Sequence, residues 1–121
     1  MTPSHSRRVK PHMKPEDLRW IVQDWASRMD VKMPYIAVRQ MRTKWASMST
    51  AGRLTLNADL CALPRDLIDL VVVHELAHLL TPHHGQLFKS YLYAYLPDWQ
   101  HREERLKKRE AQRGRSVKQA R

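Results

Sequence analysis

An α+β domain is what the sequence predicts: a small antiparallel sheet packed on a buried helix, with further helices towards the C-terminus. Three observations carry that expectation. Residues 35–57 have β-branched and alternating apolar positions and a turn signal at Gly52. Residues 67–80 are apolar in almost every direction around a helical axis, the mark of a helix covered on most sides. Residues 87–95 repeat apolar side chains at helical spacing and are closed off by Pro97. At 121 residues the chain has room for one compact domain with a core that needs no covalent staples.

The elements follow in order. Residues 1–14 are polar, basic and proline-containing, and are expected to be disordered. Pro15, Glu16 and Asp17 open a helix, because proline fits the first turn and acids favour that end. Leu18, Ile21, Val22, Trp25 and Met29 then give it an apolar face to about Asp30. Pro34 resets the chain, and residues 35–41 read as a strand. Residues 45–49 and 53–57 flank Thr50-Ala51-Gly52, a turn between two more strands. Leu54 and Leu56 alternate with Arg53, Thr55 and Asn57, giving one buried and one wet face. Pro64 and Asp66 open the next helix, which Pro82 ends or follows. Leu87, Phe88, Tyr91, Leu92 and Tyr95 form an amphipathic helix, and Trp99 and Leu106 anchor a last one before the chain frays near Gly114. The folded domain is expected over 15–106, with a basic tail over 107–121.

The net charge of +10 lies at the two ends: residues 1–14 carry +4, residues 101–121 carry +6, and the segment between sums to zero. A neutral body with basic ends is consistent with non-specific attraction to nucleic acid. Solvated tails that keep the protein soluble are the alternative. A single cysteine, Cys61, excludes an internal disulfide and fits a reducing, cytoplasmic setting. No secretory signal is visible, and the run from Leu67 to Leu80 is too short and too polar to cross a bilayer.

The decisive string is His74-Glu75-Leu76-Ala77-His78. Residues four apart on a helix differ by about 40° in direction, so both imidazoles project from one face. Two nitrogens can then reach one metal ion at roughly 2.0–2.1 Å. Glu75, beside the first histidine, can take the proton of a water held at the metal without binding the metal itself. Such a metal lowers the pKa of water to about 7 and polarises a carbonyl, which is the chemistry of peptide-bond hydrolysis. A helix dominated by valine and leucine has little reason to carry two imidazoles and a carboxylate unless they are used, because burying them without partners is costly. The alternative is that the two histidines are ordinary residues paired with Glu75.

A catalytic zinc site needs a third protein ligand and leaves its fourth position for water. His84, six residues after His78, reproduces the H-E-x-x-H-x5-H spacing of peptidases that use three histidines. Pro82 and Gly85 could supply the bend that returns the chain to the metal. His83 competes for the role, as do Glu103 and Glu104 on a later segment. The expected cofactor is one zinc ion held by His74, His78 and His84, although other divalent ions suit similar ligands.

With these residues in hand, the chain resembles the YgjP-type metallopeptidases over roughly residues 42–106. The likeness rests on Arg42 to Ser49 (RTKWASMS), Gly52 to Asn57 (GRLTLN), Leu60, Pro64 and VVVHELAHL over 71–79. It continues through His84-Gly85, Phe88 and Leu96-Pro97-Asp98-Trp99. The resemblance implies a zincin core with ligands His74, His78 and His84, catalytic Glu75, and a protein or peptide substrate. A more distant likeness to SprT and Spartan proteases, which act on proteins attached to DNA, would give the basic ends a purpose. Ala46 and Met48 stand where the family usually has Gly and Cys, and Gly85 stands where Ser is common. Trp45 and Asn57 are candidates for cleft wall and for a residue supporting the ligands, and the strand over 53–57 for pairing with extended substrate. The four tryptophans are expected in the core or the cleft wall, and the methionines as core filler.

Overall fold

The computed structural model describes residues 13–113. Helix α1 spans Pro15–Arg28, strands β1, β2 and β3 span Tyr35–Arg39, Ala46–Met48 and Arg53–Asn57, and a 3-10 turn covers Ala58–Ala62. Helices α2 (Arg65–Ala77), α3 (Gln86–Tyr95) and α4 (Trp99–Arg113) complete the chain. The basic segment over 1–12 lies outside the described residues, as do residues 114–121.

α1 begins where the sequence indicates. The Lys14 backbone N–H donates to the Asp17 carboxylate at 3.0 Å, so the first-turn acid satisfies an amide at the helix start. The helix closes at Met29, and Asp30 adopts a left-handed φ of 57° that turns the chain away. Its apolar face of Leu18, Ile21, Val22 and Trp25 is buried against the core, and the Trp25 indole N–H donates to Asp69 of α2 at 2.9 Å. Trp20 departs from expectation: it is 67% exposed on the outer face.

The sheet is mixed rather than wholly antiparallel, with strand order β1-β3-β2. β2 and β3 form a hairpin around Gly52, whose φ of 88° suits glycine, and pair antiparallel with Ala46 opposite Leu56. β1 instead lies on the far side of β3 and pairs with it in parallel, Tyr35 opposite Arg53 through Arg39 opposite Asn57. The chain reverses twice between β1 and β3, so the two run the same way once the hairpin places β3 in the middle. Burial explains the central place: Leu54 and Leu56 of β3 are fully buried, whereas Tyr35 and Arg39 of β1 are exposed. Asn57 fixes the crossover. Its side-chain amide donates to the carbonyls of Met41 (3.0 Å) and Lys44 (2.7 Å), while its oxygen accepts from the Asp59 amide. These are structural bonds, and they account for a wholly buried polar residue.

α2 is the axis of the core. Leu67, Ile68, Leu70, Val71, Val72, Val73, Leu76 and Ala77 are all buried, covered by α1, β2, α3 and α4. Each large apolar side chain so covered contributes roughly 1.5–3 kcal/mol relative to exposure. Asp66 in the first turn of α2 accepts a two-pronged bond from Arg105, and its carbonyl accepts from Arg102 at 3.0 Å. α4 is thereby tied to the start of α2. It continues past residue 106, and Glu110 accepts a 2.9 Å bond from the indole N–H of Trp45.

Candidate metal centre and active site

The core fixes α2, and α2 delivers His74 and Glu75 to one side of its last turn, with His78 at its C-terminal cap. All three are half-buried, while their helical neighbours Val73, Leu76 and Ala77 are fully covered. The backbone then turns: the amides of Leu80 and Thr81 both bond to the Ala77 carbonyl at 2.9 Å. Residues 81–85 return the chain over the end of the helix. His84 is thereby brought beside His78, with their Nε2 atoms 3.0 Å apart.

One ring nitrogen from each of His74, His78 and His84 lies within 4.8 Å of the other two. Tetrahedral bonds of about 2.0–2.1 Å would set such nitrogens about 3.4 Å apart, so small adjustments bring the trio onto one ion. The donor set suits zinc. Burial holds the pKa of His78 below the ordinary histidine value; Glu75 opposes the shift, and the neighbouring His74 and His84 add to it. A neutral imidazole keeps its lone pair free for a metal. His83 is exposed and stands outside this cluster, as do Glu103 and Glu104. Gly85, at the cap of α3, has a φ of −101°, which any residue adopts, so the bend does not require a glycine there.

Phe88 is the site residue whose role the sequence conceals. Its ring centroid lies 5.1, 5.0 and 4.5 Å from those of His74, His78 and His84, and it is buried beneath them. The sequence shows it as one core position of an amphipathic helix and as one residue of the family resemblance, with no role at the site. Its place one helical turn past His84 is the signal that could have exposed the contact.

The Glu75 carboxylate has an oxygen 3.4 Å from Nδ1 of His74, and its side chain is 13% exposed. It faces an open cleft bordered by Ala46, Ser47 and Met48 of β2 on one side and His78 and His84 on the other. β3, the strand expected to pair with substrate, cannot do so, because β1 and β2 occupy both of its edges. Among the described residues, the strand with a free edge at the cleft is β2. Trp45 is buried and lines a cavity that also touches His74 and Glu75, so it is a wall of the site as well as a core residue.

This arrangement of two helical histidines, a looped-back third and an adjacent carboxylate agrees with the comparison of sequences. Residues 5–109 match the YgjP-like metallopeptidase domain. The chain belongs to that family. As a member it is a metal-dependent peptidase, and a metal cofactor is implied. Among solved structures, the metallopeptidase zymogen jannalysin of Methanocaldococcus jannaschii is similar at 23% identity and a TM-score of 0.71, over 77% of this chain and 96% of that one. The zymogen abylysin of Pyrococcus abyssi is similar at 20% identity and a TM-score of 0.68, over 76% and 93%. At these identities the likeness concerns the fold. No curated protein sequence matches the chain. Among the described residues, no helix is long and apolar enough to cross a membrane.

Proposed function

We propose that this YgjP-like protein is a zinc endopeptidase in which His74, His78 and His84 hold one zinc ion and Glu75 is the general base. The observation that carries this reading is the convergence of the three histidines to within 4.8 Å beside a half-buried carboxylate. When bound, zinc lowers the pKa of water towards about 7 and polarises the carbonyl under attack. Glu75 takes the proton of the attacking water and delivers it to the departing amine. Phe88, packed on all three imidazoles, limits their rotation and keeps the ligand face set. The open cleft and the free edge of β2 favour an extended stretch of protein held by main-chain pairing. The free thiol of Cys61 fits the reducing cytoplasm as the place of action.

The test uses the full-length chain and an unstructured protein substrate. Cleavage is expected to stop on chelation, return with zinc, and fall at least about a hundredfold in Glu75→Gln at unchanged zinc content. A Glu75→Gln protein as active as the parent, or a zinc-loaded parent that cleaves nothing, overturns the reading.

A second reading, association with nucleic acid, is favoured by Lys107, Lys108 and Arg109, three consecutive exposed cations on α4. Binding should weaken steeply with salt and weaken further in Lys108→Glu/Arg109→Glu. Deleting 107–121 is a poor test, because Glu110 within it bonds Trp45.

A further inference from the structure

The sheet has two outer edges, and the cleft borders one of them. β2 forms that edge, and β1 forms the other, on the opposite side of the sheet. Among the described residues nothing pairs with the outer edge of β1. The Tyr35 amide donates to the Gly52 carbonyl at 3.1 Å, which fixes how the strand uses its backbone. Alternate residues of a parallel pair bond to the neighbouring strand, so Tyr35, Ala37 and Arg39 bond to β3. The amides and carbonyls of Ile36 and Val38 therefore point outwards. Sheet edges are ordinarily shielded by a proline, a bulge or an inward-pointing charge. Residues 35–38 carry none of these, and Tyr35, Ile36 and Val38 are types that favour strands.

This edge is complementary to itself. Ile36 and Val38 face the same side as Leu54 and Leu56, their partners in β3, yet are only partly buried. With Pro15, Glu16 and Arg19 of α1 they line a notch along the edge. On the other face, Tyr35 is 65% exposed and Arg39 is exposed as well. An antiparallel copy centred on Ala37 sets Ile36 against Val38 of the second copy, and Val38 against its Ile36. All of these are outward-bonding residues, so each pair exchanges both of its main-chain hydrogen bonds. Tyr35 then lies opposite Arg39 of the second copy, a cation beside a ring that Arg53 already approaches at 4.5 Å. The two notches also meet, and each brings one acid, Glu16, and one base, Arg19.

We propose that β1 is the interface of a symmetric dimer, in which it pairs edge to edge with a second copy of this chain about a two-fold axis at Ala37. The same patch serves on both copies, so the contact closes on itself and does not propagate. The two three-stranded sheets become continuous, and each β2 lies at an outer end, so both clefts stay open. An edge of five residues is about 17 Å long, which is short for the patch of about 800 Å² that each partner of a stable complex buries. Association is therefore weak, with a Kd of about 10–100 µM, and it depends on concentration.

Sedimentation of the full-length chain from about 1 to about 500 µM tests this. The apparent mass should climb from 14.4 kDa towards twice that value. Because Ala37 meets itself at the axis, Ala37→Glu and Ala37→Lys should each weaken pairing by about tenfold or more. Mixed in equal amounts, the two variants should pair with each other at least as tightly as the parent pairs with itself. Only a residue that faces its own copy gives that rescue. Amide hydrogen exchange of the parent, followed by NMR, needs no variant. The Ile36 and Val38 amides should exchange slowly at high concentration and fast at low, while the Ala37 amide, bonded to β3, stays slow at both. A chain that is monomeric throughout overturns the proposal, whether those two amides are open or are protected by another segment of the same chain. A dimer of unchanged strength in a folded Ala37→Glu overturns it too, as does a mixture of the two variants that stays monomeric.

Discussion

His74 and His78 reach the proposed metal site from one of the most thoroughly buried parts of the molecule, and His84 from one of the least covered. The first two project from the end of a helix whose neighbouring side chains are wholly buried. His84 is exposed, lies in the turn between α2 and α3, and is held by a 3.0 Å approach to His78 and by the ring of Phe88. Core packing therefore orients one half of the site before any ion arrives. The other half is held by few contacts, so on the proposed ligand set its ordering would draw on the free energy of binding. Local opening concentrates where buried contacts are few, so the loop half is the part expected to move.

The largest effect should separate ligands from bystanders. A structural zinc site of four ligands is worth roughly 10–16 kcal/mol, so removing one ligand should cost on the order of a hundredfold or more in affinity. Zinc measured after competition with a chelator should be lost in His74→Ala, His78→Ala and His84→Ala, and kept in His83→Ala. If His84→Ala retained stoichiometric zinc while His83→Ala lost it, the loop half of the assignment would be wrong and the helix half would stand.

A smaller effect should come from the residue that joins the two halves. Phe88→Leu keeps an apolar side chain of nearly the same size, so stability should fall by no more than about 1.5 kcal/mol. The three imidazoles lose the flat surface they share, and zinc affinity should drop by roughly 10–100-fold, as when supporting groups around a metal are removed. Urea denaturation and chelator competition on one preparation give both numbers. Unchanged zinc affinity would mean that Phe88 fills space and does not orient the rings.

This division also explains what the sequence could reveal. The helical half was legible, because H-E-x-x-H on an apolar helix fixes direction through local geometry alone. The strand over 53–57 was legible for the same reason, from Leu54, Leu56 and the glycine before them. Strand order was not. Placing β3 between its neighbours depends on Asn57 holding the carbonyls of Met41 and Lys44, contacts 16 and 13 residues away in the chain. The pocket wall depends on Trp45 and Glu110, 65 residues apart. Periodicity reports which face of an element is apolar and nothing about which distant element covers it. Spacing suggested His84, but Phe88 was visible only as a core position and as part of the family resemblance, with no sign that it packs on the three imidazoles.

The far end of α2 allows a check on the buried half. Arg105 donates to Asp66 and holds its carboxyl below the usual carboxylate range; burial opposes this. The folded pKa lies below the unfolded value of about 3.9, so the pair's contribution is present above that pH and is lost as pH falls through the folded value. Both side chains are partly exposed, at 35% and 41%, so solvent screening keeps Asp66→Asn to less than about 1 kcal/mol. Urea midpoints at pH 7 and pH 3 should therefore differ less in the variant than in the parent. Zinc affinity at pH 7 should not change, because α2 is fixed mainly by apolar contacts along its length. A loss of zinc in Asp66→Asn would show that the ion pair sets the helix position.

The smallest effect concerns the loop half. Gly85 caps α3 without a side-chain bond, its φ of −101° is open to any residue, and an added Cβ would meet nothing within 4 Å. A serine oxygen there could accept from an amide in the first turn of α3, which glycine cannot do. Gly85→Ser should therefore stabilise the protein by a few tenths of a kcal/mol, raising Tm by about 1–2 °C. Phe88 is the third residue of that helix and His84 precedes the cap, so a firmer first turn holds the least covered ligand more closely in place. Zinc affinity should rise, by less than about tenfold, because only the ordering cost of one short loop is reduced. A higher Tm accompanied by weaker zinc binding would reverse the argument. It would mean that the loop must give way for His84 to reach the ion, and that the freedom of this half serves the site.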